Sequence, residues 1–226
     1  MENIKIIFII TTIIIITVTI KSLYITSKQQ KSGTVIILNG PSASGKSSIQ
    51  KEFQYLMMPQ LWIKLGIDML FDTPMPNITP ENVAFWQTEN QIRWVTMDTD
   101  TDEKQVITLF IGEHGDQVAY GMNSAIAAYA QNGCNIIVDY IAYKKEWIDD
   151  LQSKLKGINT YWVKVSIPLE TLEQREAARA TSPQGHARSH YHTVYWNLKY
   201  DLEVNSEKDS ASNIAQQIKD FITKKS

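Results

Sequence analysis

Residues 34–47 read Thr34-Val35-Ile36-Ile37-Leu38-Asn39-Gly40-Pro41-Ser42-Ala43-Ser44-Gly45-Lys46-Ser47, and this stretch decides the fold. Its first part is a short apolar run of the kind a parallel strand shows when both its faces are buried. Its second part is a complete Gly-x-x-x-x-Gly-Lys-Ser phosphate loop. After it, Ile49, Phe53 and Leu56 recur at helical spacing until Pro59 closes the segment. Strand, glycine-bounded loop and helix in that order are the context the motif needs, because the helix start adds its partial positive charge to the loop's N–H groups. Gly40 and Gly45 let the backbone of Pro41, Ser42, Ala43 and Ser44 curl so that successive N–H groups, on to Ser48, face one concavity. Lys46 is placed to reach the β- and γ-phosphates, and the Ser47 hydroxyl to ligate Mg²⁺. The expected ligands are ATP and Mg²⁺.

Outward from the loop, residues 62–68, 135–139, 161–165 and 202–204 read as further strands. Residues 117–131, 144–154, 169–179 and 212–224 read as helices. Strands alternating with helices predict an α/β fold in three layers, with a mostly parallel five-stranded sheet. Residues 71–115 interrupt the alternation. They carry Pro74, Pro76 and Pro80, a predicted helix with Trp86 and Trp94, an acidic turn at 98–103 and an apolar strand at 106–111. The turn opens like a calcium loop but lacks the required glycine and final glutamate, so it reads as a solvated hairpin tip. An insertion of this size is expected to bind the acceptor substrate, with Trp62 and Trp86 flanking that region.

Asp139 and Asp68 each end a strand on the carboxyl edge of the sheet, where open α/β sheets bind their ligands. Two carboxylates beside a nucleotide divide into a metal ligand and a general base, and spacing alone leaves both assignments open. Asp139 stands where a Walker B aspartate would hold Mg²⁺. Arg175 and Arg179 are one helical turn apart, and Arg188 follows the hinge-like Pro183-Gln184-Gly185. Such cations suit a lid that spreads the charge of a transferring phosphoryl group. The plainer reading of the arginine pair is a solvated helix face paired with Glu173 and Glu176. His190 and His192, two residues apart, fall on different helix faces and do not read as a metal pair.

The whole chain has 226 residues and a formal net charge of −2, with no basic face of the kind nucleic acid requires. Cys134 is the single cysteine, which excludes an intramolecular disulfide and a thiolate-rich zinc site. Residues 1–31 stand apart from the kinase-like domain at 32–226. Within them, residues 6–20 contain only Ile, Phe, Val and Thr, with Lys5 and Lys21 at the edges. The run is shorter than the roughly 20 residues of a comfortable span, yet snorkelling lysines and Leu23-Tyr24-Ile25 extend it. Residues 4–25 are read as a membrane anchor, with a cleaved signal peptide as the alternative. Lys21, Lys28 and Lys31 place the rest of the chain on the cytoplasmic side.

Read together, Ile36-Ile37-Leu38-Asn39-Gly40-Pro41-Ser42-Ala43-Ser44-Gly45-Lys46-Ser47-Ser48, Trp62-Ile63-Lys64-Leu65-Gly66-Ile67-Asp68, Asn135-Ile136-Ile137-Val138-Asp139, Arg175-Glu176-Ala177-Ala178-Arg179, Gly185-His186-Ala187-Arg188 and Tyr200-Asp201-Leu202-Glu203-Val204 resemble the chloramphenicol phosphotransferase-like family. The resemblance implies a nucleoside-monophosphate-kinase-like fold with a lid, and ATP-dependent phosphoryl transfer to a hydroxyl. It implies Asp68 as the base and Arg175, Arg179 and Arg188 as the lid cations. Thr181-Ser182 stand where the family often has a further arginine, and Tyr195 where it commonly has a histidine. Residues 71–115 lie outside the match, so the acceptor is expected only to be a small molecule with a hydroxyl group. The alternatives are a sugar-acid or nucleoside kinase, and a membrane-attached nucleotide-binding protein without transfer chemistry.

Overall fold

The apolar run before the phosphate loop forms strand β1 (Val35–Asn39), every residue of which is buried. The structure, a computed structural model, describes residues 31–97, 104–179 and 182–225. The expected anchor at residues 4–25 lies outside them. Among the described residues no helix is long and apolar enough to cross a membrane.

In chain order β1 is followed by α1 (Lys46–Met57), β2 (Trp62–Gly66), a single π-helical turn (Asp68–Asp72), α2 (Val83–Trp86), β3 (Ile92–Met97) and β4 (Val106–Ile111). Then come α3 (Glu113–Gln131), β5 (Asn135–Tyr140), α4 (Lys145–Lys154), β6 (Thr160–Ser166), α5 (Leu169–Ala177), α6 (His186–His190), β7 (Leu202–Asn205) and α7 (Ala211–Lys225). The described strands make a five-stranded sheet in the order β2-β5-β1-β6-β7, and its neighbours pair in parallel. β3 and β4 form a separate antiparallel hairpin.

Side-chain alternation along β1 builds the three layers. Val35 and Ile37 face the side covered by Met122 and Ile126 of α3 and Trp147 and Leu151 of α4. Ile36 and Leu38 face Ile49 and Phe53 of α1 and Ile214 and Ile218 of α7. These four β1 side chains are fully buried, each worth roughly 1.5–3 kcal/mol relative to exposure. Burial on both faces explains why the strand is a continuous apolar run rather than an alternating one.

Three readings of the sequence change. Trp94 lies on β3, opposite Leu109, not in a helix with Trp86; the β-branched run Val95-Thr96 favours the pleated hairpin. Trp62 packs edge-on against Phe53, their ring centroids 5.0 Å apart, on the α1 side of the sheet. Its ring is therefore buried in that layer and offers no open face to a ligand. The strand predicted at 62–68 ends at Gly66, and Asp68 opens the π-helical turn. The acidic residues 98–103 lie outside the described residues, between the two strands of the hairpin.

Two devices fix the sheet edge that carries the site. Gln50 of α1 donates from Nε2 to Leu65 O of β2 at 2.6 Å and to Ile137 O of β5 at 2.8 Å. Gly66 pairs in register with Asp139, and a Cβ there would lie 3.2 Å from Asp139 Cβ. The glycine leaves room for the aspartate beside it.

Candidate active site

The loop between β1 and α1 closes with Gly45 as the N-cap of α1, in a left-handed conformation at φ 94°. Among the described residues no side chain caps α1, and its first turn holds no acidic residue. The N–H groups of a helix start with no side-chain cap favour an anion. Lys46 is buried, 3% exposed. Its Nζ donates to Gly40 O at 2.9 Å and Pro41 O at 2.8 Å, and lies 3.3 Å from Asp139 Oδ1. Burial lowers the Lys46 pKa, and Asp139 and then Asp68 act against that shift. The second oxygen of Asp139 accepts the Ser47 hydroxyl at 2.7 Å.

Asp68 stands just past the end of β2 and reaches solvent. Partial burial pushes its pKa up, and so do Asp139 and, less, Asp72; Lys46 and Arg179 pull it down. A carboxylate raised by neighbours of its own sign, with a lysine in the same field, is poised to take a proton. The structure thus brings Lys46, Ser47, Asp68, Asp139 and Arg179 into one electrostatic neighbourhood.

The arginines divide. Arg175 donates from Nη2 to Ser206 O at 2.7 Å and from Nη1 to Ser206 Oγ at 3.3 Å. With Arg179, Gly45, Ser48, Ser206 and Asp209 it lines a cleft of about 280 Å³ beside the start of α1. Arg188 is buried and pairs with Glu173 of α5, in a second cleft between α5, α6 and the start of β4. Glu176 takes a structural task, accepting the N–H of Gly185 at 2.8 Å and of Ala187 at 2.7 Å. The carboxylates expected to pair with Arg175 and Arg179 serve α6 instead.

One cluster was not read from the sequence. His186 and His190 share a face of α6, their ring centroids 4.7 Å apart, and Tyr143 lies against both. Tyr143 Oη is 2.9 Å from His186 Nε2. Trp94 of the hairpin meets His186 edge-on at 4.7 Å. Burial and Lys46 lower the His186 pKa to about 4, and burial, His186 and Lys46 lower that of His190 well below its ordinary value. His186 Nδ1 is buried with no hydrogen-bond partner among the described residues. His192, by contrast, is exposed. The i, i+4 spacing of the first two histidines is the signal the sequence carries for this face, and the i, i+2 pair of His190 and His192 does not show it.

The sheet order, the phosphate loop between β1 and α1, and the two carboxylates on the sheet's carboxyl edge define a P-loop kinase fold with a phosphotransferase-type site. A family model described as Chloramphenicol phosphotransferase-like protein matches residues 33–223, and the chain belongs to that family. A Mycobacterium tuberculosis (strain H37Rv) protein named "Putative O-phosphotransferase Rv2636" is 27% identical over 186 residues, covering 82% of this chain and 80% of the relative. Among solved structures, the Mycobacterium tuberculosis APS kinase CysC in complex with AMPPNP and APS matches with a TM-score of 0.55 at 15% identity, covering 85% of this chain and 98% of that one. A sugar kinase from Janibacter sp. matches with a TM-score of 0.54 at 16% identity, over 85% and 95% of the two chains. At such identities the structural matches speak to the fold.

Proposed function

We propose that the chain transfers the γ-phosphoryl group of ATP to a hydroxyl group of a small molecule, with Asp68 as the general base. The observation that carries this reading is the position of Asp68, at the edge of the phosphate-loop site, with its pKa raised by partial burial and by Asp139 against the pull of Lys46. A nucleotide-binding protein without transfer chemistry has no need of a second, solvent-facing carboxylate tuned this way.

The residues fit ATP and Mg²⁺. The uncapped start of α1 suits phosphate oxygens. Ser47 Oγ and Asp139 Oδ2, 2.7 Å apart, are hard oxygen donors. Among the described residues no group of three His, Cys, Asp or Glu could hold a metal by itself. One carboxylate and one hydroxyl, completed by phosphate oxygens and water, is how Mg²⁺ is commonly held. When bound, Mg²⁺ neutralises charge on the β- and γ-phosphate oxygens.

Lys46, in this reading, exchanges the Gly40 and Pro41 carbonyls for phosphate oxygens. Arg175 and Arg179 flank the loop from the lid side and counter negative charge as the phosphoryl group moves. Arg188 joins them only by giving up Glu173. Asp68 accepts the proton of the acceptor hydroxyl as its oxygen attacks. The hairpin supplies the acceptor wall, offering Trp94, 42% exposed, beside the Tyr143–His186 pair.

The test is acceptor-dependent ADP release by the full chain against hydroxylated antibiotics, nucleosides and sugar acids. Asp68→Asn is expected to bind an ATP analogue normally and to lose acceptor-dependent release. Full transfer by Asp68→Asn would overturn the assignment of the base. ATP binding without acceptor-dependent release from any of the three classes would favour the non-catalytic alternative.

A further inference from the structure

We propose that His190, a neutral imidazole carrying its proton on Nδ1, is the positioning residue that holds the phosphate loop in shape through the Ser42 N–H. The proposal rests on the reading that this loop receives ATP, and it adds a lid residue to the donor machinery.

The tautomer is fixed from both ends. The backbone N–H of Ser42 donates to His190 Nε2 at 3.0 Å, so that nitrogen presents a lone pair. On the other side of the ring, Nδ1 lies 3.3 Å from Ser189 Oγ. That hydroxyl donates its proton to His186 O at 2.7 Å, which leaves it an acceptor toward Nδ1. A chain of hydrogen bonds therefore runs from the phosphate loop through His190 and Ser189 to the backbone of α6. Protonation of Nε2 would abolish its first link.

The loop has reason to need this tie. Ala43, the residue after Ser42, sits at φ 63°, left-handed for a residue with a Cβ, which costs about 1–2 kcal/mol. Such a residue persists only where its surroundings over-determine it. Ala43 packs against Ile167, Leu172 and Ala187, and the loop's internal turn, Ser44 N to Pro41 O, is long at 3.3 Å. The His190 bond pins the backbone one residue before the strained position.

His190 is itself held in place. It is 4% exposed and lies between His186 of its own helix and Tyr143 of the β5–α4 connection, at 4.7 and 5.3 Å between ring centroids. The charged group facing it from α1 is Lys46, which together with burial and His186 keeps the imidazole neutral.

The experiment compares His190→Gln with His190→Asn in the full chain. A glutamine carbonyl reaches the position of Nε2, whereas an asparagine carbonyl stops near that of Nδ1. Two readings are taken: the affinity for an ATP analogue, and hydrogen exchange of the Ser42 amide. Glutamine is expected to keep affinity within twofold and to keep the amide protected. Asparagine is expected to weaken affinity roughly fivefold, the scale of one lost hydrogen bond, and to expose the amide. A merely space-filling role would not separate the two variants. If both match the wild type in affinity and exchange, or if both lose affinity equally with the Ser42 amide still protected, the proposal is overturned. A wild type that binds no ATP analogue would refute the nucleotide reading instead, and the Ser42 exchange comparison would still decide whether His190 anchors the loop.

Discussion

Asp139 receives the Ser47 hydroxyl on one carboxylate oxygen at 2.7 Å, while the Lys46 ammonium lies 3.3 Å from the other. The end of β5 thereby fixes the first two residues of α1, the lysine and the hydroxyl to which the proposed function gives phosphate and metal. Asp139→Ala leaves the Lys46 ammonium buried with two carbonyls and no counter-charge. The expected cost is about 3 kcal/mol, read as a fall in the urea unfolding midpoint. The same variant is expected to lose the gain in ATP affinity that Mg²⁺ gives the wild type, read by titration with and without the metal. Unchanged Mg²⁺ dependence would remove Asp139 from the metal site.

Asp72 raises the pKa of Asp68, and Arg179 lowers it. A base works when ionised, so the rate rises with pH through the Asp68 pKa, which lies above its ordinary 3.8. Asp72→Asn removes a repelling charge and is expected to move the acid limb of kcat to lower pH. Arg179→Gln is expected to move it to higher pH. Opposite shifts in a pH–rate series identify Asp68 as the titrating group; a limb that stays fixed in both variants excludes it.

Gly185, at φ 89°, starts α6 where a Cβ would lie 2.3 Å from Gln105 O, a backbone atom unable to turn aside. Gly157 shares the positive φ, but a Cβ there meets nothing within 4 Å. Gly157→Ala is expected to cost only the left-handed penalty, about 1 kcal/mol. Gly185→Ala is expected to cost that and the clash, so its Tm should fall further, at roughly 2–4 °C per kcal/mol. Equal falls in the two melts would show that the hairpin yields easily at this contact.

His186 titrates near 4 in the fold against about 6.5 unfolded. Between those values the unfolded chain binds the extra proton, so stability falls as pH drops from about 6.5 toward 4 and is unaffected by this group above that window. The loss is on the order of 3 kcal/mol over the window. His186→Gln is expected to flatten part of this slope, so urea midpoints of variant and wild type should converge as the medium is acidified. Parallel slopes would mean that the folded ring takes up its proton as readily as the unfolded one.

The chain wrote its donor half plainly. Val35 to Leu38 are apolar because both sheet faces are covered, and Gly40 to Ser47 carry fixed positions that any reader of the sequence can find. Asp68 and Asp139 were visible because each closes an apolar run. The half to which the proposed function gives the acceptor was less legible, since the β3–β4 hairpin stands outside the main sheet and Trp94 gave a helical reading that its β-branched neighbours contradict. The pairing of Arg188 with Glu173, and of Glu176 with the start of α6, depended on how α5 and α6 meet. That is a tertiary choice without a local signature. The His190–Ser42 bond joins residues 148 positions apart in the chain, beyond any spacing rule.

The single amide of Gln50, shared between Leu65 O and Ile137 O, makes the distance between Asp68 and Asp139 a property of the phosphate-loop helix. Leu65 and Ile137 each lie a short step before the carboxylate their strand delivers, Asp68 in one case and Asp139 in the other. An engineer who rebuilt the hairpin would leave this gauge untouched, whereas Gln50→Leu, with both carboxylates intact, would unfasten the two jaws from their common pivot.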